Sequence, residues 1–94
     1  MVVILFNSEN GSISMWKVYV LRMEDGSLYT GITKDLERRL EEHRNGDGSK
    51  YVRSRLPCEV VYTEEHEDMS SALKREAEIK GWKKTRKERL VRYG

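Results

Sequence analysis

Only one cysteine, Cys58, occurs in 94 residues, so no intramolecular disulfide can form and no CxxC pair exists to hold a metal. That usage fits a reducing cytoplasm, which is the expected location. No long hydrophobic run is present either. The apolar stretch MVVILF (residues 1–6) is far too short to span a bilayer and lacks a basic start, so neither an anchor nor a signal peptide is expected. No membrane is therefore expected among the partners. Repeats and low-complexity tracts are missing too, and 94 residues are too few for a second domain.

Net charge is also small, at +2, but it hides an asymmetry. Residues 80–94 carry seven basic residues (Lys80, Lys83, Lys84, Arg86, Lys87, Arg89 and Arg92) against the single acid Glu88, which leaves the rest of the chain acidic. A basic end on an acidic body can lie on a polyphosphate, although a solvated charged helix would look the same. What the chain does have is 37% hydrophobic residues, enough for one modest core within a highly charged shell (36%).

Residues 7–14 (NSENGSIS) are polar and turn-rich, so an extension over 1–14 and a domain over 15–94 are expected. Lys17 to Arg22 is rich in β-formers, Glu24-Asp25-Gly26-Ser27 signals a turn, and Leu28 to Ile32 resumes the β character; together they predict a hairpin. Leu36 to Arg44 has helical spacing and is stopped by Asn45-Gly46-Asp47-Gly48. Tyr51 to Leu56 is ambiguous, between loop and a short helical turn. Glu59 to Thr63 reads as a third strand, Ser70 to Lys80 as a helix broken at Gly81, and Lys83 to Arg92 as helix again. The order β-β-α-β-α-α predicts an α+β fold, a small three-stranded, mainly antiparallel sheet flanked by helices.

On a helical wheel Glu76 falls among Met69, Ala72, Leu73 and Ile79, in the middle of the apolar stripe. An unpaired carboxylate there costs several kcal/mol, so it should meet a cation: a metal, an arginine or a helix N-terminus. A structural Glu–Arg pair explains it as well as a functional role does. In the first helix Leu36, Leu40 and His43 share one face and Arg39 flanks it. Arg39 there can reach across a groove toward a phosphate, or simply pair with Asp35. For His43 an ordinary helix-face histidine is the plainer reading. Tyr19 and Tyr29 lie on the two hairpin strands, where antiparallel pairing can bring them to one face; core filling explains them equally.

Lys17-Val18-Tyr19, then Tyr29-Thr30-Gly31, Arg39 eight residues after that glycine, and finally Glu76 together resemble the GIY-YIG nuclease family. The first triplet keeps only the tyrosine of G-I-Y, and the second keeps the tyrosine and glycine of Y-I-G. The stretch DGSLYTGITKDLERRLEEH and the tail SALKREAEIKGWKKTRKERLV look like short single-domain bacterial members related to the N-terminal domain of the nucleotide-excision nuclease UvrC. The resemblance implies the GIY-YIG fold and a divalent-metal-dependent endonuclease. In it Glu76 binds one Mg²⁺ or Mn²⁺, Arg39 contacts the scissile phosphate, and Tyr19 or Tyr29 helps to activate water. Gly31 is the motif glycine, and His43 matches a histidine found there in many members. Two positions depart from the pattern. Ile32 stands where UvrC-type members commonly carry lysine, and residues 81–94 lack the asparagine that closes the site in several homing enzymes.

DNA is the first candidate substrate and RNA the second, held by Lys80, Lys83, Lys84, Arg86 and Lys87, with a protein partner as a further source of specificity. The competing expectation is a nuclease-like module that binds nucleic acid and cuts weakly or not at all. A purely structural role explains the composition but not a glutamate within an apolar stripe.

Overall fold

The computed structural model describes residues 15–94; the expected extension over residues 1–14 lies outside the described residues. Strands β1 (Trp16–Met23) and β2 (Leu28–Thr33) form the hairpin, followed by α1 (Leu36–Arg44) and α2 (Lys50–Arg53). Strand β3 (Cys58–His66) and helices α3 (Met69–Lys80) and α4 (Lys84–Tyr93) complete the order. The three strands make one antiparallel sheet in the order β2-β1-β3. The largest differences from the sequence reading are that β3 runs to His66 rather than Thr63, because it pairs along the whole of β1, and that the short helix α2 overlaps the start of the ambiguous segment.

Local chemistry sets the boundaries. At the hairpin turn the Asp25 carboxylate accepts from the Ser27 amide and hydroxyl, while Gly26 adopts φ +86°, the left-handed region that glycine enters without strain. Asp35, Ser49 and Asp68 cap α1, α2 and α3 by accepting from Arg38, Val52 and Ser71 amides. Asp35 is thus occupied as a cap, and the ion partner of Arg39 is Glu42, not Asp35.

β1 is central and covered on both faces, which is why its alternation is weak. Tyr19, Leu21 and Met23 face a cluster with Val52 and Cys58, against which Tyr29, Leu36 and Leu40 pack. Val18 faces the other way, toward Ala72 and Ile79, with Trp82 and Leu90 at the margin. Helix α4 has no buried residue; the Arg22–Glu88 pair (2.6 and 2.8 Å) and the Lys84 ammonium on the Gly26 carbonyl (2.9 Å) tie it to the hairpin. Among the described residues no helix is long and apolar enough to cross a membrane.

Candidate active site

The hairpin register places Tyr19 of β1 opposite Gly31 of β2, and Tyr29 opposite Leu21, two residues along. Side chains alternate in strands, so both tyrosines point to one face, the one covered by α1 and α2. Their ring centroids are 6.4 Å apart. Gly31 is what lets Tyr19 lie there. A Cβ at Gly31 would stand 2.5 Å from the Tyr19 hydroxyl and 2.6 Å from Cζ, so the ring passes directly over the glycine backbone.

His43, on the inner face of α1, closes the cluster. Its Nε2 is 2.9 Å from the Tyr19 hydroxyl, and its ring meets Tyr19 and Tyr29 edge-on at 5.9 and 5.4 Å. Nδ1 is buried without a hydrogen-bond partner among the described residues. Gly48 packs against that atom so tightly that a Cβ there would stand 2.3 Å from it. Burial, reinforced by the Arg39 charge, holds the imidazole below its usual pKa of 6.5, so it is neutral near pH 7. Burial likewise pushes the Tyr19 phenol up to about 12, although the Arg39 guanidinium beside it pulls the other way. Tyr19 is therefore a neutral phenol sealed in the core, 1% exposed, whereas Tyr29 is partly exposed.

The His43 shift has a thermodynamic consequence. The unfolded imidazole takes up a proton below pH 6.5 while the folded one resists, so the unfolded state gains protons and stability falls as pH drops through that range. Urea midpoints should decline from pH 7 toward pH 5, and the His43 NMR titration should have its midpoint below 6.5. A midpoint at or above that value would refute the assignment.

Glu76 requires a correction. The buried arc of α3 consists of Ala72 and Ile79 alone, while Met69 and Leu73 are 46% and 42% exposed. Glu76 therefore sits on the shoulder of the helix, not in the middle of a buried stripe. Its side chain is 17% exposed and pairs with Lys80 at 3.3 Å. It is compensated and reached by solvent, and its charge is felt at the Tyr19 phenol. Arg39, partly buried, holds Glu42 at 3.0 Å and lies beside both tyrosines. The structure thus gathers Tyr19, Tyr29, Arg39 and His43 into one cluster, to which Glu76 of α3 is linked through its charge at the Tyr19 phenol.

Lys80 extends that cluster. With Lys87, Leu28, Tyr29, Thr30 and Tyr51 it lines a cavity of about 290 Å³. A larger cleft of about 800 Å³ follows α4 past Arg22, Lys84 and Arg92 and contains neither motif tyrosine. Lys83 and Arg86 do not line the smaller cavity, and the Arg86 guanidinium stacks over Trp82 at 4.0 Å. Two residues at the site escaped the sequence reading. Gly48 looked only like a helix stop, and nothing local marks its contact with His43. Tyr51 did carry a signal, an aromatic among the basic residues Lys50, Arg53 and Arg55.

As a metal site, the donor set is sparse. Among the described residues no group of three or more His, Cys, Asp or Glu side chains gathers. A single solvent-reached carboxylate suits a hard cation that keeps most of its waters and excludes a closed protein cage.

Comparison with known proteins agrees with this architecture. The family model of the GIY-YIG catalytic domain matches residues 15–89. A UPF0213 protein of Staphylococcus saprophyticus is 46% identical over 77 residues, covering 82% of this chain and 94% of that one. A UPF0213 protein of Natronomonas pharaonis is 51% identical over 74 residues, 79% and 87% of the two chains. Among solved structures, the UPF0213 protein BH0048 of Bacillus halodurans aligns at TM-score 0.54 and 40% identity over 82% of each chain. The protein EF2693 of E. faecalis aligns at 0.59 and 40% over 83% of each. The family model and these relatives converge: this chain belongs to the GIY-YIG catalytic-domain family and is similar over most of its length to UPF0213 proteins.

Proposed function

We propose that the protein is a divalent-metal-dependent endonuclease that hydrolyses phosphodiester bonds in nucleic acid, with DNA as the principal substrate. The observation that supports this reading is that Arg39 lies beside both motif tyrosines, while Tyr29 also lines the basic cavity with Lys87 and with Lys80, the ion partner of Glu76.

Glu76 is the residue that would hold one Mg²⁺ or Mn²⁺. When bound, that ion supplies Lewis-acid neutralisation of a phosphate oxygen. The chain's own groups do the rest. Arg39 lends its guanidinium to the non-bridging oxygens as their charge grows in the transition state. Tyr29 reaches solvent, and its phenol oxygen accepts a hydrogen bond from the attacking water, aligning it with the phosphorus. The new P–O bond forms as the bond to the leaving sugar oxygen breaks; that oxygen takes a proton from solvent, and the water's own proton returns there. Tyr19 is a positioning residue, since a buried phenol with its pKa near 12 and a neutral His43 as neighbour cannot serve as a base near pH 7. Accordingly Tyr29→Phe should slow cleavage more than Tyr19→Phe, and Tyr19→Phe should act chiefly on stability. Single-turnover cleavage with Mg²⁺, Mn²⁺ or EDTA tests both; equal rates in EDTA and Mg²⁺ would end the metal reading.

Binding should weaken with salt, because each phosphate neutralised releases counterions. Lys83 and Lys87 are the informative sites for charge reversal. Lys84 is less so, since it also holds the Gly26 carbonyl. Replacing Lys83 and Lys87 with glutamate should reduce the slope of log K against log salt by about 2, near 0.9 per phosphate lost. An unchanged slope would place the nucleic acid on another face.

A further inference from the structure

Helix α3 carries Glu76, yet little apolar contact fixes its roll on the sheet. Its buried arc is Ala72 and Ile79 alone, seated on Val18 of the central strand. At about 100° per residue, Glu76 falls about 40° to one side of Ala72 and Arg75 about 60° to the other. The two shoulders meet opposite edges of the sheet. On the Glu76 side, its ion partner Lys80 lines the cavity shared with Leu28, Tyr29 and Thr30 of β2. On the Arg75 side lies a polar cluster with β3 that the hydrolysis described above does not use.

Glu64 of β3 is the centre of that cluster. Its carboxylate accepts from the Tyr62 hydroxyl and from Arg75 Nε at 2.9 Å, and it lies 2.7 Å from His66 Nε2. Arg75 also donates through Nη1 to Glu78 at 2.9 Å, and His66 Nδ1 is 3.3 Å from the Ser71 hydroxyl. Ser71 and Arg75 of α3 are thus both held by β3. The Glu64, His66 and Arg75 side chains are 20%, 20% and 26% exposed, so solvent screens these contacts less than it does an ordinary surface pair.

We propose that Glu64 and Arg75 are positioning residues, a clamp that sets the roll of α3 and thereby the place of the Glu76 carboxylate on the opposite shoulder. This rests on the reading of Glu76 as the residue that holds the metal. One small and one branched side chain in the buried arc resist a roll of the helix weakly, whereas an ion pair anchored on β3 resists it directly. A roll of about 10° moves an atom 5–6 Å from a helix axis by about 1 Å. Misplacements of that size can cost about 10²-fold in function.

The test is a Mn²⁺ titration of the full chain, labelled with ¹⁵N and without nucleic acid, followed by paramagnetic broadening of amide signals. In the unaltered protein the broadening should centre on Glu76. Glu64→Gln and Arg75→Gln should each need about 10-fold more Mn²⁺ for half-maximal broadening, the lower end of what groups behind a metal ligand contribute. The two changes together should lose no more than either alone, because both break one contact. The sign of the Arg75 effect separates the clamp from plain charge. Removing a cation beside Glu76 would by electrostatics alone strengthen Mn²⁺ binding, whereas the clamp requires a loss. Glu65→Gln removes the same charge one residue from Glu64, outside the clamp, where Glu65 pairs with Lys17, and it should leave the midpoint unchanged. Arg75→Lys keeps the charge without the fork that spans Glu64 and Glu78; it should show the same loss, and it decides the matter if the glutamine variants do not fold. Midpoints equal to that of the unaltered protein, tighter binding by Arg75→Gln, or an equal shift in Glu65→Gln would overturn the clamp and leave the metal reading in place. No broadening at Glu76 in the unaltered protein would end both.

Discussion

Glu76→Gln should leave a folded protein whose cleavage rate has fallen by a factor on the order of 10² or more, the scale expected when a major electrostatic contributor is removed. Glutamine keeps the size and hydrogen-bonding capacity of glutamate but not the charge that holds a hard cation. The structure alters the expectation for stability. A glutamate isolated in an apolar stripe would be relieved by neutralisation, but Glu76 is solvent-reached and paired with Lys80 on the helix shoulder. Such i,i+4 pairs contribute about 0.3–0.5 kcal/mol, so the variant should unfold within about 0.5 kcal/mol of the parent. Single-turnover cleavage and urea denaturation measure the two quantities independently. Normal cleavage by Glu76→Gln would make Glu76 structural and leave the chain a binding module. Arg39→Lys should not restore the function of Arg39, because an ammonium cannot reproduce the planar fork.

Gly31→Ala should damage both stability and cleavage, although it adds a single methyl group. The new Cβ would lie 2.5 Å from the Tyr19 hydroxyl, a distance at which something must move. The ring cannot yield freely, since His43 holds its hydroxyl at 2.9 Å and the rest of Tyr19 is buried in the core. Overpacking of this kind costs about 1–3 kcal/mol. The displaced ring should also shift Tyr29, whose centroid is 6.4 Å away, so cleavage should fall with stability. Pairing the change with Tyr19→Leu removes the colliding atoms, and the double variant should recover part of the lost stability in urea titrations. Additive losses would show that Gly31 matters for another reason.

Most elements could be read from the sequence because their causes are local. Asp35 and Asp68 sit where caps are needed, Gly26 and Gly81 stand at the turn and the helix end, and β-formers fill the hairpin. β3 was underestimated because its last residues, Thr63 to His66, are polar; their strand character comes from pairing with β1. The tyrosine pair was legible through strand alternation, which needs only the turn position to fix the register.

The site's finer structure was not legible, since it depends on distances between layers. The wheel counted Met69 and Leu73 as core and so set Glu76 mid-stripe, but both are exposed, and Glu76, its side chain 17% exposed and paired with Lys80, lies at the edge of the buried arc. His43 looked like an ordinary packed histidine because its hydrogen bond to Tyr19 spans 24 residues. Tyr51 had no periodic context at all; α2 and Arg55 bring it onto Tyr29. By itself the sequence determined the α+β order, the motif residues and the basic end, through propensity, capping and spacing that act over a few residues. Only the tertiary structure decided how far Glu76 is buried, which tyrosine meets water and what packs against His43, because burial is set by the neighbouring layer and not by the residue's own helix or strand.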